Sequence, residues 1–462
     1  MNNLKNFLMA IALGLGLLLF ISCENWLEVD PPNDRLDRSV IFADSASASL
    51  TLAGIHNDMI SSSSGFVTVL SSLAGLSAGE LSYTLTNQDL MQFDQSNILA
   101  DNATILRTWN NIYKHVYQCN SAMEGIEGAD NIAPTAKSRL IGEARFMRAL
   151  LYFHTVNCWG SIPLVTSSDY RVNEVIGRTP IDEIYEQIVT DLEYATQNMN
   201  DMYLASERAR PNRLSAFALL ARVYLFRQQW ELAEQAATVV INSGLYSLEA
   251  SPSDVFLKES NEVIWQMAPS TGNSAHTPAA GYLPINANDN SLPQFLINEN
   301  LYQSFDPSDR RRADWIGIKS IGPHYYSIKY RVRSAPMSSR SEYTVMLRLA
   351  EQFLIRAEAR AELGQLTPAI DDLNVIRARA SIVDLPIGAS TEQVLANVEA
   401  ERYRELFADW GAHRWFDLKR KGRIDAVVGP LKGSNWKPTD AWWPIPLTQL
   451  LTNSNLVQND GY

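Results

Sequence analysis

Apolar side chains recur at helical spacing along most of this 462-residue chain. In residues 143–156, Phe146, Leu150 and Phe153 fall on one stripe, and residues 214–225 repeat the pattern. A period near 3.6 residues places such side chains on one face of an α-helix, so we expect two amphipathic helices here. The same spacing predicts further helices at about 40–60, 104–127, 181–198, 229–243, 343–363, 367–380 and 391–409.

Residues that begin and end helices support these boundaries. Thr179-Pro180 and Thr391-Glu392 are typical of helix N-termini, because such residues satisfy or tolerate the unpaired backbone N–H groups there. Gly244 and Gly364 are typical of the position just after a helix. We expect helices to begin and end at these points.

Small residues recur at fixed offsets in two helix pairs. One pair runs from Ala221 into Ala233, and the other runs from Ala357 through Ala361 into Ala369. Small side chains let neighbouring helices approach closely, and the pattern resembles the tetratricopeptide hairpin. The predicted fold class is therefore all-α, with tetratricopeptide-type helix pairs in one domain over residues 39–462.

Two stretches lack the helical period, at about 62–103 and 245–342. The second separates the two helix pairs and is rich in Ser, Pro, Asn and aromatic residues. We expect long irregular loop insertions, the second with a few short strands. Long ordered loops in compact domains are usually functional, which makes these stretches the candidate binding regions.

The N-terminus has the features of a secretion signal. Lys5 supplies positive charge, an apolar run spans residues 7–20, and Cys23 follows a small residue. The run is shorter than the roughly 20 residues needed to cross a bilayer. The cysteine resembles that of a bacterial lipobox, which is lipidated and becomes the new N-terminus. We expect a signal peptide at 1–22 and a lipid-anchored tether at 23–38, with an uncleaved anchor as the alternative.

Charge and cysteine content limit the partners and the compartment chemistry. The chain has a net charge of -12, so it lacks the excess of basic residues that binding to nucleic acid or to anionic lipid headgroups requires. No nucleic-acid partner is therefore expected. Cys119 and Cys158 fall on neighbouring antiparallel helices with an axial offset of roughly 20 Å. A disulfide cannot span that distance, so we expect two free, buried thiols.

No catalytic constellation is evident in the sequence. The six histidines show no metal-ligand spacing on a helix, and neither a nucleophile elbow nor a phosphate-binding loop occurs, so no metal or cofactor is expected. One segment has enough carboxylates to supply the two carboxyl groups of a glycosidase: Glu399, Glu401, Glu405 and Asp409. Because arginines interleave with them, we interpret this segment as a solvated face of ion pairs.

Five segments along the chain carry recognisable motifs. They are GEARFMRA at 142–149 with WGSIPLV at 159–165, residues 213–248, residues 349–380, residues 401–418, and WPIP at 443–446 with the QNDGY ending at 458–462. Together these segments resemble the SusD/RagB family, in that family's order. Two departures are Ser454 and Asp460, which stand where the family usually has prolines, and a third is a longer turn at 409–412.

The resemblance implies a function at the bacterial cell surface. It implies a lipoprotein held in the outer membrane by Cys23, facing outward, that binds a nutrient for a TonB-dependent, SusC-like transporter. An oligosaccharide is the expected ligand, and no bond is broken. The alternatives left open are a peptide ligand as in the RagB branch, a tetratricopeptide-type scaffold that binds only proteins, and an enzyme.

Exposed aromatic rings next to amide and carboxylate groups are suited to sugar recognition. Both irregular stretches contain such residues, and the resemblance implies a ligand site at the corresponding loops. Trp109, Trp159 and Trp230 are instead assigned to packing, because they lie within or at the exit of helical motifs. The predicted ligand-binding residues are Tyr83, Gln88, Asp89, Phe93, Asn97, Tyr282, Trp315, Tyr325 and Tyr326.

Overall fold

A computed structural model describes residues 4–5, 38–61, 65–268, 278–286, 290–319, 321–336 and 339–462. Cys23, with nearly all of the predicted signal peptide and tether, lies outside them. In the described part, no helix is long and apolar enough to cross a membrane.

Helices dominate the described residues, which confirms the predicted all-α class. In chain order the helices are Arg38–Ile41 (α1), Ser45–Ser61 (α2), Phe66–Ser77 (α3), Gln88–Asp94 (α4), Ala103–Glu127 (α5), Pro134–Trp159 (α6), Tyr170–Asn173 (α7), Ile181–Asn198 (α8), Arg213–Phe226 (α9), Trp230–Ile241 (α10), Glu299–Gln303 (α11), Arg310–Trp315 (α12), Leu349–Glu362 (α13), Leu366–Arg379 (α14), Thr391–Leu406 (α15), His413–Arg420 (α16), Ile424–Lys432 (α17) and Leu447–Thr452 (α18).

The strands form two small sheets beside the helices. They are Leu81–Tyr83 (β1), Val263–Met267 (β2), Phe295–Ile297 (β3), Ile316–Lys319 (β4), His324–Ser327 (β5) and Thr344–Arg348 (β6). One sheet has the order β1-β3-β5-β4, and the other pairs β2 with β6. All pairs are antiparallel. The first sheet joins the two stretches expected to be irregular, because β1 comes from 62–103 and its partners from 245–342.

The long helices pack in an array from α5 to α15. Each contacts the next, in the order α5, α6, α8, α9, α10, α13, α14 and α15. The two tetratricopeptide-type pairs, α9–α10 and α13–α14, are therefore neighbours in space although the insertion separates them in sequence. Ala233, Ala357 and Ala369 are fully buried, as close helix approach requires.

The helices predicted at 143–156 and 214–225 are confirmed, but the prediction that they are amphipathic was wrong. Nearly every residue of both segments is buried, on all faces of α6 and α9. Arg148 and Arg222 are inside because each meets a carboxylate: Arg148 forms a two-bond fork with Asp191 at 2.7 and 2.8 Å. Arg222 forms another with Glu351 at 2.7 and 2.6 Å, which ties α9 to α13. Paired charges let these helices lie at the centre of the molecule.

Most helix boundaries agree with the signals in the sequence. Helix α8 begins directly after Pro180, and Ser390 caps α15 in a capping box with Gln393. Gly244 and Gly364 both adopt positive φ, near +70° and +74°, just beyond helix ends. The structure corrects two segments: residues 344–348 are strand β6 rather than helix, and 62–103 contains α3, α4 and β1 rather than being a long loop.

The acidic segment of α15 is buried, so the predicted solvated face was wrong. Glu405 and Glu401 have no solvent exposure. Glu405 bonds to Arg311 at 2.9 Å and Arg348 at 2.6 Å, and also to Arg379. These arginines come from α12, β6 and α14, and spacing along α15 alone could not reveal them. The ion pairing was correctly expected; its location in the core was not.

Cys119 and Cys158 are free and buried, as predicted. Burial raises the pKa of both thiols to about 12, so they stay protonated near neutral pH. Trp109 and Trp159 are core residues, with rings 5.4 Å apart, and Trp230 packs partly buried against the same core. The packing role assigned to these three tryptophans is confirmed.

Candidate functional site

A cavity of about 420 Å³ lies where the two candidate stretches meet. Helices α2 to α5 contribute one side, and residues 278–282, 294–295, 330–333 and 344 contribute the other. The turn after α15 closes it through Ala408 and Trp410. The cavity therefore brings together segments more than 300 positions apart in the sequence.

An aromatic wall lines the cavity on the side of the insertion. Tyr282 and Phe295 are both lining residues, with ring centroids 5.6 Å apart. Tyr83 extends this wall behind Phe295, at 5.9 Å. The pairing of β1 with β3 sets Tyr83 directly across from Phe295. Cross-strand aromatic pairs of this kind stabilise the sheet while presenting a flat apolar face.

The segment that carries Tyr282 is held by backbone and side-chain bonds. Arg333 donates from Nη1 to the carbonyl of Leu283 at 2.6 Å and also to that of Ala280. Phe295 N donates to Gly281 O at 3.0 Å. A Cβ at position 281 would lie 2.7 Å from the Phe295 ring, so only glycine allows this approach. The wall is thus built before any ligand arrives.

The closing turn, residues 407–412, follows an unusual backbone path. Ala408 and Ala412 have φ of 53° and 58°, in the left-handed region that costs energy for residues with a side chain. Lys329 holds the turn, since its Nζ donates to Phe407 O and to Asp409 Oδ1, both at 2.7 Å. The amide of Ala408 donates to Glu80 Oε1 at 3.0 Å.

Glu80 is a buried carboxyl group beneath this turn. Burial raises its pKa to about 7, against the opposing hydrogen bond from Ala408 and the nearby Lys329 and Arg414 charges. Burial likewise raises the pKa of Tyr282 above its ordinary value. The Tyr282 hydroxyl is buried and has no hydrogen-bond partner among the described residues.

The rim on the α4–α5 side is polar. Asn87 caps α4 by accepting from Leu90 N at 3.1 Å, and both residues line the cavity. Arg107 also lines it, with about half of its side chain exposed and its Nη2 3.9 Å from Asp89 Oδ2. Gln88 and Asp89 therefore lie beside the rim, Gln88 exposed and Asp89 partly so.

The nine predicted ligand residues divide into three groups. Tyr282 lines the cavity, and Tyr83, Gln88 and Asp89 adjoin it. Asn97 and Tyr326 are at least partly exposed but do not line it. The remaining three do not offer the exposed faces that were expected: Phe93, Trp315 and Tyr325.

Packing explains why those three residues are unavailable. Phe93 meets Trp443 edge-on at 5.2 Å, inside the core. Trp315 is 1% exposed, and its indole N–H donates to Pro252 O at 2.7 Å. Tyr325 stacks on Tyr302 with centroids 3.8 Å apart. The lack of a helical period predicts exposed aromatic rings on these segments, whereas short helices and strands there bury these three rings.

Sequence reasoning missed Phe295, Arg107, Arg333 and Trp410 as cavity residues. Phe295 belongs to the aromatic-rich insertion and could have been included on that ground. Trp410 lies in the turn at 409–412 that departs from the family pattern, which was a usable signal. No sequence signal pointed to Arg107 or Arg333, because their position at the cavity depends on how segments distant in sequence pack together.

In the described part of the chain, no group of three or more His, Cys, Asp or Glu side chains is arranged to hold a metal ion. The described lining residues of the cavity include hydroxyl, amide and guanidinium groups but neither Asp nor Glu. The arrangement therefore offers donors and an aromatic wall to a ligand.

Known families match the chain over most of its length. One family model, described as starch-binding associating with outer membrane, matches residues 25–225, and another, described as the SusD family, matches residues 298–462. SusD-like protein P25 of Formosa agariphila is 26% identical over 430 residues, covering 79% of this chain and 80% of that protein.

Solved structures share the fold. A laminarin-binding SusD-like protein superposes with a TM-score of 0.75 at 21% identity, covering 90% of this chain and 99% of that one. Surface glycan-binding protein A from Bacteroides fluxus gives a TM-score of 0.77 at 21% identity, with the same coverage. Because both halves of the chain match models of one family, and the helical array is the fold of its solved members, this chain belongs to the SusD family.

Proposed function

We propose that this protein is a non-catalytic surface receptor that binds an oligosaccharide in the cavity between residues 66–107 and 278–344. It is anchored in the outer membrane by lipid on Cys23 and delivers its ligand to a TonB-dependent, SusC-like transporter. The proposed contacts are Tyr282 and Tyr83, whose rings pack against the buried Phe295, with Gln88 and Asp89 at the rim. No cofactor is required.

The observation that carries this proposal is the preformed aromatic wall of the cavity. The volume of the cavity, about 420 Å³, falls within the roughly 300–1,000 Å³ typical of small-ligand sites. The partly exposed ring of Tyr282 offers a flat apolar face to a sugar, with the buried Phe295 packed against it, and Asn87 and Arg107 at the rim can bond sugar hydroxyls. Two relatives in fold are named for binding laminarin and surface glycans, which favours a saccharide.

The lining chemistry supports binding without catalysis. Glycoside hydrolysis uses two carboxyl groups that face each other across the sugar, about 5 to 9.5 Å apart. The described lining contains no such pair, and the acidic cluster of α15 is closed in the core by arginines. The anchor and the transporter rest on the sequence around Cys23 and on family membership.

Calorimetric titration against a glycan panel tests the ligand class. The panel contains laminarin, starch and their hexasaccharides, with a mixture of short peptides as a separate arm. We expect one of the glycans to bind and Tyr282→Ala to weaken its binding by about tenfold or more, since stacking area is lost. Met202→Ala, which alters a side chain 82% exposed and outside the cavity lining, serves as the matched control.

Three results would contradict the proposal. Binding of peptides but not of glycans would favour the RagB-like alternative. Unchanged glycan affinity in Tyr282→Ala would show that the cavity is not the binding site. Hydrolysis of a bound glycan during prolonged incubation would show an enzyme instead.

A further inference from the structure

A second concave surface lies further along helix α5. It is an open groove of about 790 Å³, larger than the cavity and lined by none of the same residues. Helix α5 forms one wall, residues 163–176 form the opposite wall, and α18 with residues 453–456 closes one end. We call this surface the tyrosine groove.

Three tyrosines define the tyrosine groove. Tyr113 and Tyr117 are four residues apart on α5 and therefore share one face of the helix. Tyr170 lies in the opposite wall, at the start of α7. Tyr117 is 49% exposed and Tyr170 71% exposed, which is high for aromatic side chains in one concave surface. The rings of these two residues are available for stacking.

Hydrogen bonds hold the walls of the groove in place. Tyr113 Oη donates to Pro163 O at 2.9 Å, which joins α5 to the opposite wall. Asn453 Nδ2 donates to Ile176 O at 2.9 Å, and Asn455 Nδ2 donates to Val175 O at 2.7 Å. These bonds use backbone carbonyls of the second wall, so the groove is preformed. A preformed site avoids the cost of ordering loops when a ligand binds.

Amides, rather than charges, supply most of the polar groups. Gln449 and Asn110 bond across the end of the groove at 3.1 Å, with Asn110 exposed and Gln449 partly exposed. Lys114 is paired with Asp58 at 2.6 Å, and Glu174 is the carboxylate among the described lining residues. Planar amides donate and accept at once, as sugar hydroxyls do. This chemistry suits an uncharged, hydroxyl-rich ligand with flat faces.

We propose that the tyrosine groove is a second saccharide-binding site, for an uncharged oligosaccharide that stacks between Tyr117 and Tyr170. The inference rests on the proposed saccharide-binding function and adds a site to it. A concave surface of this volume is typical of small-ligand sites, whereas a protein partner would require a broader face.

The groove and the cavity are neighbours along α5. Arg107 lines the cavity and Asn110 lines the groove, three residues or about 4.5 Å apart along the axis. A long glycan chain can therefore engage both sites of one molecule or bridge two molecules. Simultaneous engagement raises the apparent affinity for polymers over that for short oligosaccharides.

Titration of the purified protein with laminarin hexasaccharide and maltohexaose tests this inference by stoichiometry. For the hexasaccharide that binds, we expect two molecules per chain in the wild type and one in the Tyr117→Ala/Tyr170→Ala double variant. The cavity variant Tyr282→Ala should also bind one, and the double variant should bind the corresponding polysaccharide about tenfold more weakly. The Tyr117→Phe/Tyr170→Phe variant keeps the rings and should retain two sites.

The possible failures can be distinguished. One hexasaccharide per wild-type chain, with the double variant unchanged toward both oligosaccharide and polymer, would overturn the groove site and leave the proposed function standing. No binding of any panel glycan to the wild type would overturn both. If the double variant kept its glycan binding but no longer co-purified with an outer-membrane transporter, the groove would be a protein-docking surface and the inference would be wrong.

Discussion

Glu405 lies at the centre of the charged core, closed off from solvent and surrounded by Arg311, Arg348 and Arg379. The arginines hold the pKa of its carboxyl group well below the ordinary value even though burial alone would raise it. Each arginine comes from a different element, so this one side chain joins α15 to α12, β6 and α14. Its charge matters because it is the one carboxylate among the described residues that contacts all three arginines, which it balances together with Glu262, Asp309, Glu401 and Asp409.

We expect Glu405→Gln to destabilise the fold strongly while preserving side-chain shape. Removing this charge leaves the three arginines with fewer carboxylate partners in a buried cluster and costs about 3 kcal/mol, the lower end for breaking a buried ion pair, because each arginine keeps another carboxylate. Urea unfolding monitored by circular dichroism would measure the change in free energy of unfolding. Arg171→Ala is the matched control, because it breaks an ion pair whose arginine is 73% exposed, and it should leave the midpoint unchanged. Equal stability of Glu405→Gln and wild type would contradict this account.

The raised pKa of Glu80 predicts a pH dependence of the folding stability that can be assigned to this one residue. Its pKa is raised from 4.5 to about 7 by burial, so the folded state holds its proton between those values while the unfolded state has lost it. The folded state then binds more protons, and stability falls as pH rises through this window. Above pH 7 both states are ionised and the loss is complete.

Glu80→Gln should remove this dependence, since its amide oxygen can still accept from Ala408 N. The variant should match the wild type near pH 4 and be the more stable protein at pH 8, by at most about 3 kcal/mol. Comparing the two proteins at each pH by urea unfolding cancels the titration of all other groups. A stability difference that is the same at pH 4 and pH 8 would show that Glu80 titrates normally.

At the scale of elements, the contact of Gly281 with β3 positions the aromatic wall. The ring of Phe295 occupies the space that a side chain at position 281 would take, with ring atoms 2.7 and 2.8 Å from where its Cβ would lie. Residue 281 also accepts the backbone bond from Phe295. The wall can therefore keep its geometry only while this position lacks a side chain.

Gly281→Ala should displace Phe295 or Tyr282 and weaken glycan binding severalfold, with a stability loss of about 1 to 3 kcal/mol from overpacking. Gly54→Ala is the matched control, because nothing lies within 4 Å of its added Cβ in the middle of α2. That change should stabilise the protein by up to about 1 kcal/mol and leave binding unchanged. Calorimetric titration measures the binding and urea unfolding measures the stability. If both variants bound glycan equally well, Gly281 would not position the binding site.

The elements show which features can be predicted from sequence. Helix ends at Gly244 and Gly364 and the start after Pro180 follow from local backbone chemistry, so they were predictable. The partners of Arg148 and Glu405 depend on tertiary contacts, so burial of both was missed. The two stretches predicted to bind ligand both line one cavity, yet Trp315 proved to be core, because a ring's exposure is decided by strands and helices that no local pattern revealed.

At the scale of the whole molecule, the C-terminal end of the chain returns to its N-terminal half. Asn459 Nδ2 donates to the carbonyl of Trp159 at 2.8 Å, and the indole of Trp159 donates to Pro444 O at 2.9 Å. The C-terminal segment thereby closes against the end of α6. The fold therefore depends on contacts between residues some 300 positions apart.

The hydrophobic core nevertheless has two clusters, and they allow a test of cooperativity. The smaller cluster includes Leu354, Leu373 and Val398, on α13, α14 and α15. It is joined to the main core by the Arg222–Glu351 fork and by the arginines around Glu405. Because these joints are buried and ionic, opening one region exposes unpaired charge in the other.

We therefore expect residues 39–462 to unfold as a single cooperative unit, as one domain should. Scanning calorimetry should show one transition with equal calorimetric and van't Hoff enthalpies. Glu351→Gln, which breaks the fork between α9 and α13, should lower the midpoint of that transition without splitting it. Two separate transitions in the wild type, with hydrogen exchange assigning the lower one to α13–α15, would show instead that the smaller cluster is an independent unit and that the ionic joints do not couple it to the rest of the molecule.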